Sequence, residues 1–241
     1  MSAGHKACDM STAGVKEERQ LHGVDLDRLY ETRFSPAERL DKVRLWTVLV
    51  RDFFQRYIDP TDHVLDIGGG FCEFINMVQA ARKYVVDSNP AVESYAAADV
   101  QIMPMANGQI LGLPEASCDV AFASNIFEHL HDTDELFRML REIRRILKPG
   151  GRLLVLQPNI KYAYREYWDF IDHHLPLSHE SVSEALISLG FRVQECYPRS
   201  LPYSTKSRLP KLPSFVQWYL RLPILWPLFG KQMFLVAARP S

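Results

Sequence analysis

A glycine-rich turn between an apolar strand and a helix is the feature that most constrains how this chain can fold. The mostly apolar residues 63–67 are followed by Gly68, Gly69 and Gly70, and then by an apolar-periodic stretch over 72–79. Glycines at the carboxyl end of a strand leave the backbone open to a ligand, because they carry no side chains. A tight strand–helix connection without a ligand would show the same turn, so its surroundings decide its meaning.

Strand and helix patterns alternate along most of the chain. Apolar runs predict strands at 63–67, 83–87, 100–103, 119–124, 152–157, 191–197 and 231–239. Apolar residues at three- and four-residue spacing predict helices at 36–57, 72–79, 134–147 and 178–189. Repeated strand–helix units of this length favour an α/β fold with a doubly wound, mostly parallel seven-stranded sheet. The remaining segments predict an N-terminal helical cover and a C-terminal insertion before the last strand.

The composition fits one elaborated domain. Of the 241 residues, 47% are hydrophobic and 24% are charged, which is ordinary for a globular protein with a substantial core. We expect a flexible tail over 1–24 and a single domain over 25–241, with a cofactor core at about 60–160 and an acceptor-facing region at about 161–230. The formal net charge of -1 argues against binding duplex nucleic acid by bulk neutralisation of phosphates.

The sequence also predicts a cytoplasmic protein. Residues 1–24 lack the apolar segment of a signal peptide, and no apolar run is long enough for a spanning helix. The four cysteines, Cys8, Cys72, Cys118 and Cys196, are widely spaced and form no CxxC pair. Two disulfides are the alternative, but reduced thiols fit the absence of secretion signals better.

An acidic residue ends the second predicted strand, where a nucleoside would bind. Asp87 lies 17 residues after Gly70, and a carboxylate there can accept hydrogen bonds from ribose hydroxyls. Asp66 precedes the glycines, and no GxGxxG pattern places a pyrophosphate on the helix N-terminus. The pattern therefore favours a cationic ligand that carries a nucleoside, and an NAD-dependent enzyme is the weakest alternative.

Further segments match one family in the order in which they occur along the chain. They are Asp66–Gly70, Asp87, Leu113-Pro114 through Cys118-Asp119-Val120, Ser124–Leu130 and Leu147–Gly151. Together they resemble the class I S-adenosylmethionine-dependent methyltransferases, of the type 11 kind, strongly over 60–160 and loosely in the final strands. The resemblance implies a Rossmann-like methyltransferase fold, S-adenosyl-L-methionine as the cofactor, and methyl transfer as the reaction.

The resemblance also assigns cofactor-binding residues. Gly68, Gly69 and Gly70 would lie against the methionine portion, with Asp66 recognising its ammonium group. Asp87 would bind the ribose, with Ser88 beside it.

Two further pairs complete the cofactor-binding set that the resemblance implies. Gln109 and Ile110 stand where the family commonly has an acid that accepts a hydrogen bond from the adenine amino group. A glutamine carbonyl can accept the same bond, but this departure leaves the adenine contacts open. Ser124 and Asn125 end the fourth predicted strand and would face the sulfonium and the incoming nucleophile.

Histidines cluster in the second half of the chain and supply the catalytic candidates. An oxygen or nitrogen acceptor loses a proton on methylation, and histidine is a suitable base near neutral pH. We select His129, His173 and His174, and for each the alternative is a structural role in packing, loop hydrogen bonding or the surface. No ligand spacing among the histidines requires a metal, so we predict no metal site.

Aromatic residues lie on both sides of the predicted core. Tyr30, Phe34 and Trp46 form either a lid over the cofactor or ordinary core packing, and Tyr162, Tyr164, Tyr167 and Trp168 form either a substrate wall or packing. The proline- and aromatic-rich stretch 198–230 is either a cap over the acceptor pocket or an interaction surface. In the second interpretation, residues 212–229 make peripheral contact with a membrane.

The leading functional hypothesis is methyl transfer to a hydroxyl group of a sugar, glycolipid or small metabolite. A protein or RNA methyltransferase would share the cofactor site, but the sequence lacks the basic runs that an RNA acceptor favours. A non-catalytic module that binds S-adenosylmethionine is the third hypothesis, and the intact Asp66 and Asp87 argue against it.

Overall fold

A seven-stranded sheet forms the centre of the molecule. The computed structural model describes residues 20–21, 24–25, 36–106, 109–110, 112–203 and 213–241. The sheet strands are β1 His63–Ile67, β2 Arg82–Val86, β3 Val100–Ile102, β4 Cys118–Ser124, β5 Leu147–Pro158, β6 Arg192–Tyr197 and β7 Gln232–Ala238. Their spatial order is β6-β7-β5-β4-β1-β2-β3, and only β7 runs antiparallel to its neighbours. The predicted doubly wound, mostly parallel seven-stranded sheet is therefore confirmed.

Helices cover the sheet. They are α1 Pro36–Asp52, α2 Glu73–Met77, α3 Thr133–Ile146, α4 Ile160–Tyr167, α5 His179–Ser188, α6 Pro213–Leu220 and α7 Trp226–Phe229. Single 3-10 turns lie at Phe54–Tyr57, Pro90–Ser94, Phe127–His129 and Pro223–Leu225, and Met105–Ala106 pairs with Gln109–Ile110 in a short ribbon. Over the described residues, no helix combines the length and the apolar character needed to cross a membrane.

Helix α3 shows how local sequence sets these elements. The Asp132 side chain caps its N-terminus by accepting a hydrogen bond from the backbone N–H of Glu135 at 2.8 Å. Leu136, Leu140 and Ile143 recur at helical spacing and are all buried against the sheet. The helix therefore begins and ends within a residue of the predicted bounds.

Strand β4 is buried on both faces, as expected for the centre of a parallel sheet. Ala121 and Ala123 pack into one hydrophobic cluster, while Val120 and Phe122 pack into the cluster on the opposite face. The Phe122 ring stacks on Phe74 of α2, with ring centroids 3.9 Å apart. This packing fixes α2, and with it the glycine turn, against the carboxyl end of the sheet.

Several elements differ from the predictions. Helix α1 ends at Asp52 rather than at 57, and the 3-10 turn Phe54–Tyr57 follows it; helices α6 and α7 lie in a stretch that was predicted to be irregular. Helix α4 was not predicted, because its aromatic residues do not share one helical stripe; only Ala163 and Tyr167, four residues apart, are buried. Strand β5 begins at Leu147 rather than Arg152, so the predicted break at 149–151 lies within the strand. A shift in the register between β4 and β5 accommodates the extra residues there.

Several predictions fall partly or wholly outside the described residues. These are the tail over 1–24, apart from the short pairing of Gln20–Leu21 with Val24–Asp25, the aromatic residues Tyr30 and Phe34, and positions 204–212 of the 198–230 stretch. Trp46 is described, and its ring packs against Phe54 and Phe122 with centroids 6.0 and 6.2 Å away. Trp46 therefore belongs to the core packing.

Candidate functional site

The glycine turn needs glycine for two different reasons. Gly68 and Gly70 have positive φ angles of 69° and 52°, in a region of backbone conformation that residues other than glycine rarely adopt. Gly69 has room for no side chain, because a Cβ there would lie 2.3 Å from Cγ2 of Val85. At Gly70, in contrast, a Cβ would meet no heavy atom within 4 Å. The turn is thus tight towards β2 and open at Gly70.

Asp87 ties the end of β2 to this turn. One carboxylate oxygen accepts a hydrogen bond from the Gly70 N–H at 2.8 Å, and the other accepts from the Asn89 N–H at 2.7 Å. Each oxygen has a second lone pair, so the carboxylate can still accept from ligand hydroxyls. Burial raises the pKa of Asp87, although the two backbone donors oppose the shift. Ser88, next to it, is exposed.

Asp66 is a buried carboxylate below the turn, with only 3% of its surface exposed. Burial raises its pKa well above the usual range, and the negative charges of Asp87 and Glu73 raise it further. A cationic ligand would relieve this accumulation of negative charge. The residues present therefore fit a ligand that carries an ammonium group and a ribose, as S-adenosylmethionine does.

The predicted adenine contacts lie on the short ribbon after β3. Gln109 is exposed, whereas Ile110 is buried in the core. The Ile110 backbone N–H donates a hydrogen bond to Glu142 at 2.9 Å, and Glu142 is also paired with Arg145. Contacts of Gln109 and Ile110 with adenine stay predictions.

Ser124 and Asn125 lie together at the carboxyl end of β4. Asn125 has a positive φ of 50°, and its side-chain amide donates to the Ser124 hydroxyl at 3.2 Å. Two buried glutamines that were not predicted lie on the next two strands of the sheet beyond β4, Gln157 near the end of β5 and Gln232 at the start of β7. Gln232 donates to the Asn125 side chain at 3.5 Å. The sequence contained a signal for both glutamines, because each of them is a polar residue in an otherwise apolar run.

A cluster of buried titratable groups follows β4. Glu128 is 1% exposed, and one potential ligand atom from each of Glu128, His129 and His173 lies within 4.8 Å of the other two. Nδ1 of His129 lies 2.9 Å from the backbone carbonyl oxygen of Asp172 and 3.2 Å from its carboxylate. Because a carbonyl oxygen can only accept, Nδ1 carries a proton, and the lone pair of the neutral ring is on Nε2.

The charged groups in this cluster shift one another's pKa values. Burial raises the pKa of Glu128 to about 7, and the charge of Asp172 adds to the shift while His129 opposes it. Burial lowers the pKa of His129, but its hydrogen bond to Asp172 and the nearby carboxylates outweigh burial, so the net shift is upward. The positive charge of His129 also opposes the upward shift that burial causes in the pKa of Asp87.

Of the three predicted catalytic histidines, two belong to this cluster. The His129 and His173 rings are 5.1 Å apart, whereas the His174 ring stacks on His131 at 5.0 Å. Sequence reasoning missed Glu128 and Asp172 as members. Glu128 directly precedes His129 in a motif already noted, so its signal was available.

The aromatic groups divide between core and surface. Tyr167 is fully buried and contacts His173, with ring centroids 4.6 Å apart, whereas Tyr164 and Trp168 are exposed. In the C-terminal stretch, Tyr219 and Trp226 are buried. The exposed apolar side chains there are Trp218, Ile224, Leu228 and Phe229.

Comparisons with known proteins agree with this geometry. Residues 65–155 match the family described as "Methyltransferase domain". The chain is 31% identical over 118 residues to "Probable methyltransferase ltbC" of Aspergillus luteorubrus, which covers 42% of this chain and 41% of that protein. It is 28% identical over 147 residues to the demethylmenaquinone methyltransferase of Mycolicibacterium vanbaalenii, which covers 60% of this chain and 63% of the relative. The matches thus span less than two thirds of either relative.

A solved structure shares the fold over most of the chain. A SAM-dependent methyltransferase from Archaeoglobus fulgidus superposes with a TM-score of 0.61 at 22% identity, over 89% of this chain and all of that one. The family match covers β1 to most of β5, which includes the glycine turn, Asp87 and the Glu128–His129 segment. Residues 65–155 are thus similar to methyltransferase domains, and the fold over most of the chain is similar to that of a solved SAM-dependent methyltransferase.

Proposed function

We propose that this chain transfers the methyl group of S-adenosylmethionine to a hydroxyl group of a sugar, glycolipid or small metabolite. One observation carries the proposal. The acids that fit the cofactor lie on or directly after β1 and β2, and the cluster that fits a proton-losing acceptor follows β4, which pairs with β1. Both groups lie at the carboxyl edge of the parallel strands, where ligands bind in such sheets.

The cofactor half of the site consists of the turn and two acids. Gly68 and Gly70 would present backbone to the methionine portion, with Gly69 keeping the turn close to β2. Asp66 would pair with the ammonium group, and Asp87 would accept from the ribose hydroxyls. This assignment is supported by the raised pKa of Asp66, because a ligand cation favours the ionised carboxylate.

The acceptor half would align the hydroxyl and take up its proton. When bound, the cofactor supplies an electrophilic methyl group on a positively charged sulfur. The acceptor O–C bond would form as the C–S bond breaks, and the hydroxyl proton would pass to the cluster of Glu128, His129 and His173. Ser124 and Asn125 would orient the reacting oxygen, which must approach in line with the breaking bond. His174, whose ring stacks on His131, would support the loop.

The acceptor class follows from chemistry and from one relative. The net charge of -1 offers no bulk attraction for nucleic acid. The relative from Mycolicibacterium vanbaalenii is named for a small molecule, demethylmenaquinone.

We place the reaction in the cytoplasm. Peripheral membrane contact through 212–229 is part of the proposal, and sedimentation with anionic lipid vesicles tests it; a protein that stays in the supernatant would contradict that contact.

Cofactor binding is tested first. Asp87→Ala removes the ribose acceptor, and calorimetry should show S-adenosylmethionine affinity falling at least about tenfold, the loss expected for a charged hydrogen bond. Asp99→Ala is the matched control, because this exposed acid precedes β3 at the opposite edge of the sheet. Equal affinity in wild type and Asp87→Ala would show that the cofactor site is wrongly assigned.

Acceptor identity is tested with labelled cofactor. Purified protein is incubated with methyl-labelled S-adenosylmethionine and fractionated metabolites, glycans, protein and RNA. We expect label in the metabolite or glycan fraction. Label confined to protein or RNA would overturn the acceptor class, and binding without any transfer would favour a non-catalytic module.

A further inference from the structure

The cluster after β4 contains a buried carboxylate oxygen that no hydrogen-bond donor among the described residues reaches. Glu128 is 1% exposed, and its Oε2 has no hydrogen-bond partner among the residues that the structure describes. A buried carboxylate oxygen without a donor is costly, and native proteins rarely retain one without a reason. One potential ligand atom from each of His129 and His173 lies within 4.8 Å of one from Glu128.

The three side chains have the chemistry and spacing of metal ligands. One carboxylate oxygen and two imidazole nitrogens form a mixed oxygen and nitrogen donor set that first-row divalent metals accept. Bond lengths of about 2.0–2.2 Å place ligand atoms of one ion about 3–4 Å apart. The separations here, within 4.8 Å, reach that range with small side-chain rotations.

Asp172 provides a second, independent indication. Its carboxylate lies 3.2 Å from Nδ1 of His129, and its backbone carbonyl lies 2.9 Å from the same nitrogen. A histidine that binds a metal usually donates its other ring N–H to a carboxylate or carbonyl, which fixes the ring and its tautomer. His129 has both kinds of acceptor on Nδ1, which leaves Nε2 as the nitrogen that can bind a cation.

Chain topology holds the ligands in place. Glu128 and His129 lie in the 3-10 turn that follows β4. The backbone carbonyl of Glu128 accepts hydrogen bonds from the N–H groups of His174 at 2.8 Å and Leu175 at 3.2 Å, which fixes the segment that contains His173. The cluster is therefore held by two segments that are distant in sequence, and the hydrogen bonds between them orient the ligands as the outer partners of a metal site do.

We propose that Glu128, His129 and His173 bind a divalent metal ion, which would hold the acceptor oxygen beside the methyl donor. The link to the acceptor rests on the proposed function, whereas the cation site itself does not. A hydroxyl bound to a divalent cation loses its proton more readily. With Glu128, His129 and His173 bound to the ion, that proton would leave to water as the O–C bond forms and the C–S bond breaks. An acceptor with two neighbouring oxygens would suit such an ion best.

Metal binding is measured directly on the full chain. The protein is treated with chelator, dialysed and titrated with Mn²⁺, and free Mn²⁺ is followed by electron paramagnetic resonance. We expect stoichiometric binding by wild type and at least about tenfold weaker binding by Glu128→Gln and His173→Gln. Glu128→Gln keeps the shape of the side chain and removes its buried charge, so the fold should persist. His131→Gln, a nearby exposed histidine outside the three ligands, is the matched control and should bind as wild type does.

The outcomes separate the cation site from the proposed function. Absence of stoichiometric Mn²⁺ binding by wild type, or equal binding by wild type and Glu128→Gln, would overturn the cation site. Full methyl transfer by chelator-treated protein would overturn the role of the ion but leave the methyltransferase assignment intact. Failure of the metal-free wild type to bind S-adenosylmethionine in calorimetry would count against the proposed function, while the Mn²⁺ titration would still decide the cation site.

Discussion

Gly69 and Gly70 of the turn should respond to alanine in different ways, because the two positions meet different environments. At Gly69 the new Cβ would lie 2.3 Å from Cγ2 of Val85, a fully buried side chain of β2. At Gly70 the new Cβ would meet nothing within 4 Å, but the residue has a φ of 52°. Gly69→Ala therefore tests packing, and Gly70→Ala tests the space in which the cofactor would lie.

The expected magnitudes follow from these contacts. Overpacking at Gly69 should cost about 1–3 kcal/mol of unfolding free energy, because the buried Val85 side chain must shift within a packed core. Gly70→Ala should cost only about 1–2 kcal/mol, the penalty for a side chain in the left-handed region. Adding Val85→Ala to Gly69→Ala should remove the clash, so the double variant should be more stable than the sum of the single effects predicts, by about 0.5–3 kcal/mol.

Cofactor affinity distinguishes the turn from an ordinary tight connection. Gly70→Ala should weaken S-adenosylmethionine binding at least about tenfold in calorimetry, since its methyl group would project into the open side of the turn. Gly150→Ala is the matched control, because Gly150 also has a positive φ, 81°, with nothing within 4 Å of a Cβ. It lies at the opposite end of the sheet and should change stability alone. Wild-type affinity in Gly70→Ala would refute this reasoning, as would equal losses in both variants.

Two further predictions concern buried polar groups. Because the pKa of Asp66 is raised in the folded state, its ionisation lowers the stability of the protein as the pH rises through that pKa. Asp66→Asn should therefore raise the melting temperature of the cofactor-free protein near neutral pH, and this gain should shrink in mild acid. The same variant should remove the increase in cofactor affinity with pH. An unchanged melting temperature would contradict this. Tyr167→Phe removes a hydrogen bond of 2.6 Å to the Leu175 carbonyl and should cost about 1 kcal/mol in urea unfolding; a change below experimental error would show that this bond contributes nothing.

The fold was predictable because its signals are local. Each sheet strand coincides with an apolar run, and the glycine turn and Asp87 both lie at carboxyl ends of neighbouring parallel strands, where topology brings them together. Helix α4 gave no such signal, since only Ala163 and Tyr167 face the core. The start of β5 depends on a register shift against β4, which the sequence of β5 alone does not contain.

The acceptor side was less predictable for a different reason. Glu128 and His129 are neighbours in sequence, but Asp172 and His173 reach them only because the later segment packs against the turn after β4. Spacing rules for metal or catalytic sites count residues along one segment, and they say little about two segments that meet through backbone hydrogen bonds. His174 shows the limit clearly. It is the sequence neighbour of His173, yet its ring stacks on His131.

The pKa values of the carboxylates are shifted in opposite directions at the two edges of the sheet. At the amino edge, Asp119 is partly buried, but Lys148 at 2.7 Å and the backbone N–H of His63 outweigh burial, so its pKa is lowered. At the carboxyl edge, burial raises the pKa of Asp66, Asp87 and Glu128, and no lysine or arginine within the described part of the chain is among the charges that shift them. Buried negative charge that no lysine or arginine offsets costs stability, so it persists where a ligand supplies positive charge. The carboxyl edge therefore has the electrostatics of a site for cationic ligands, and this property depends on burial that residue types alone do not reveal.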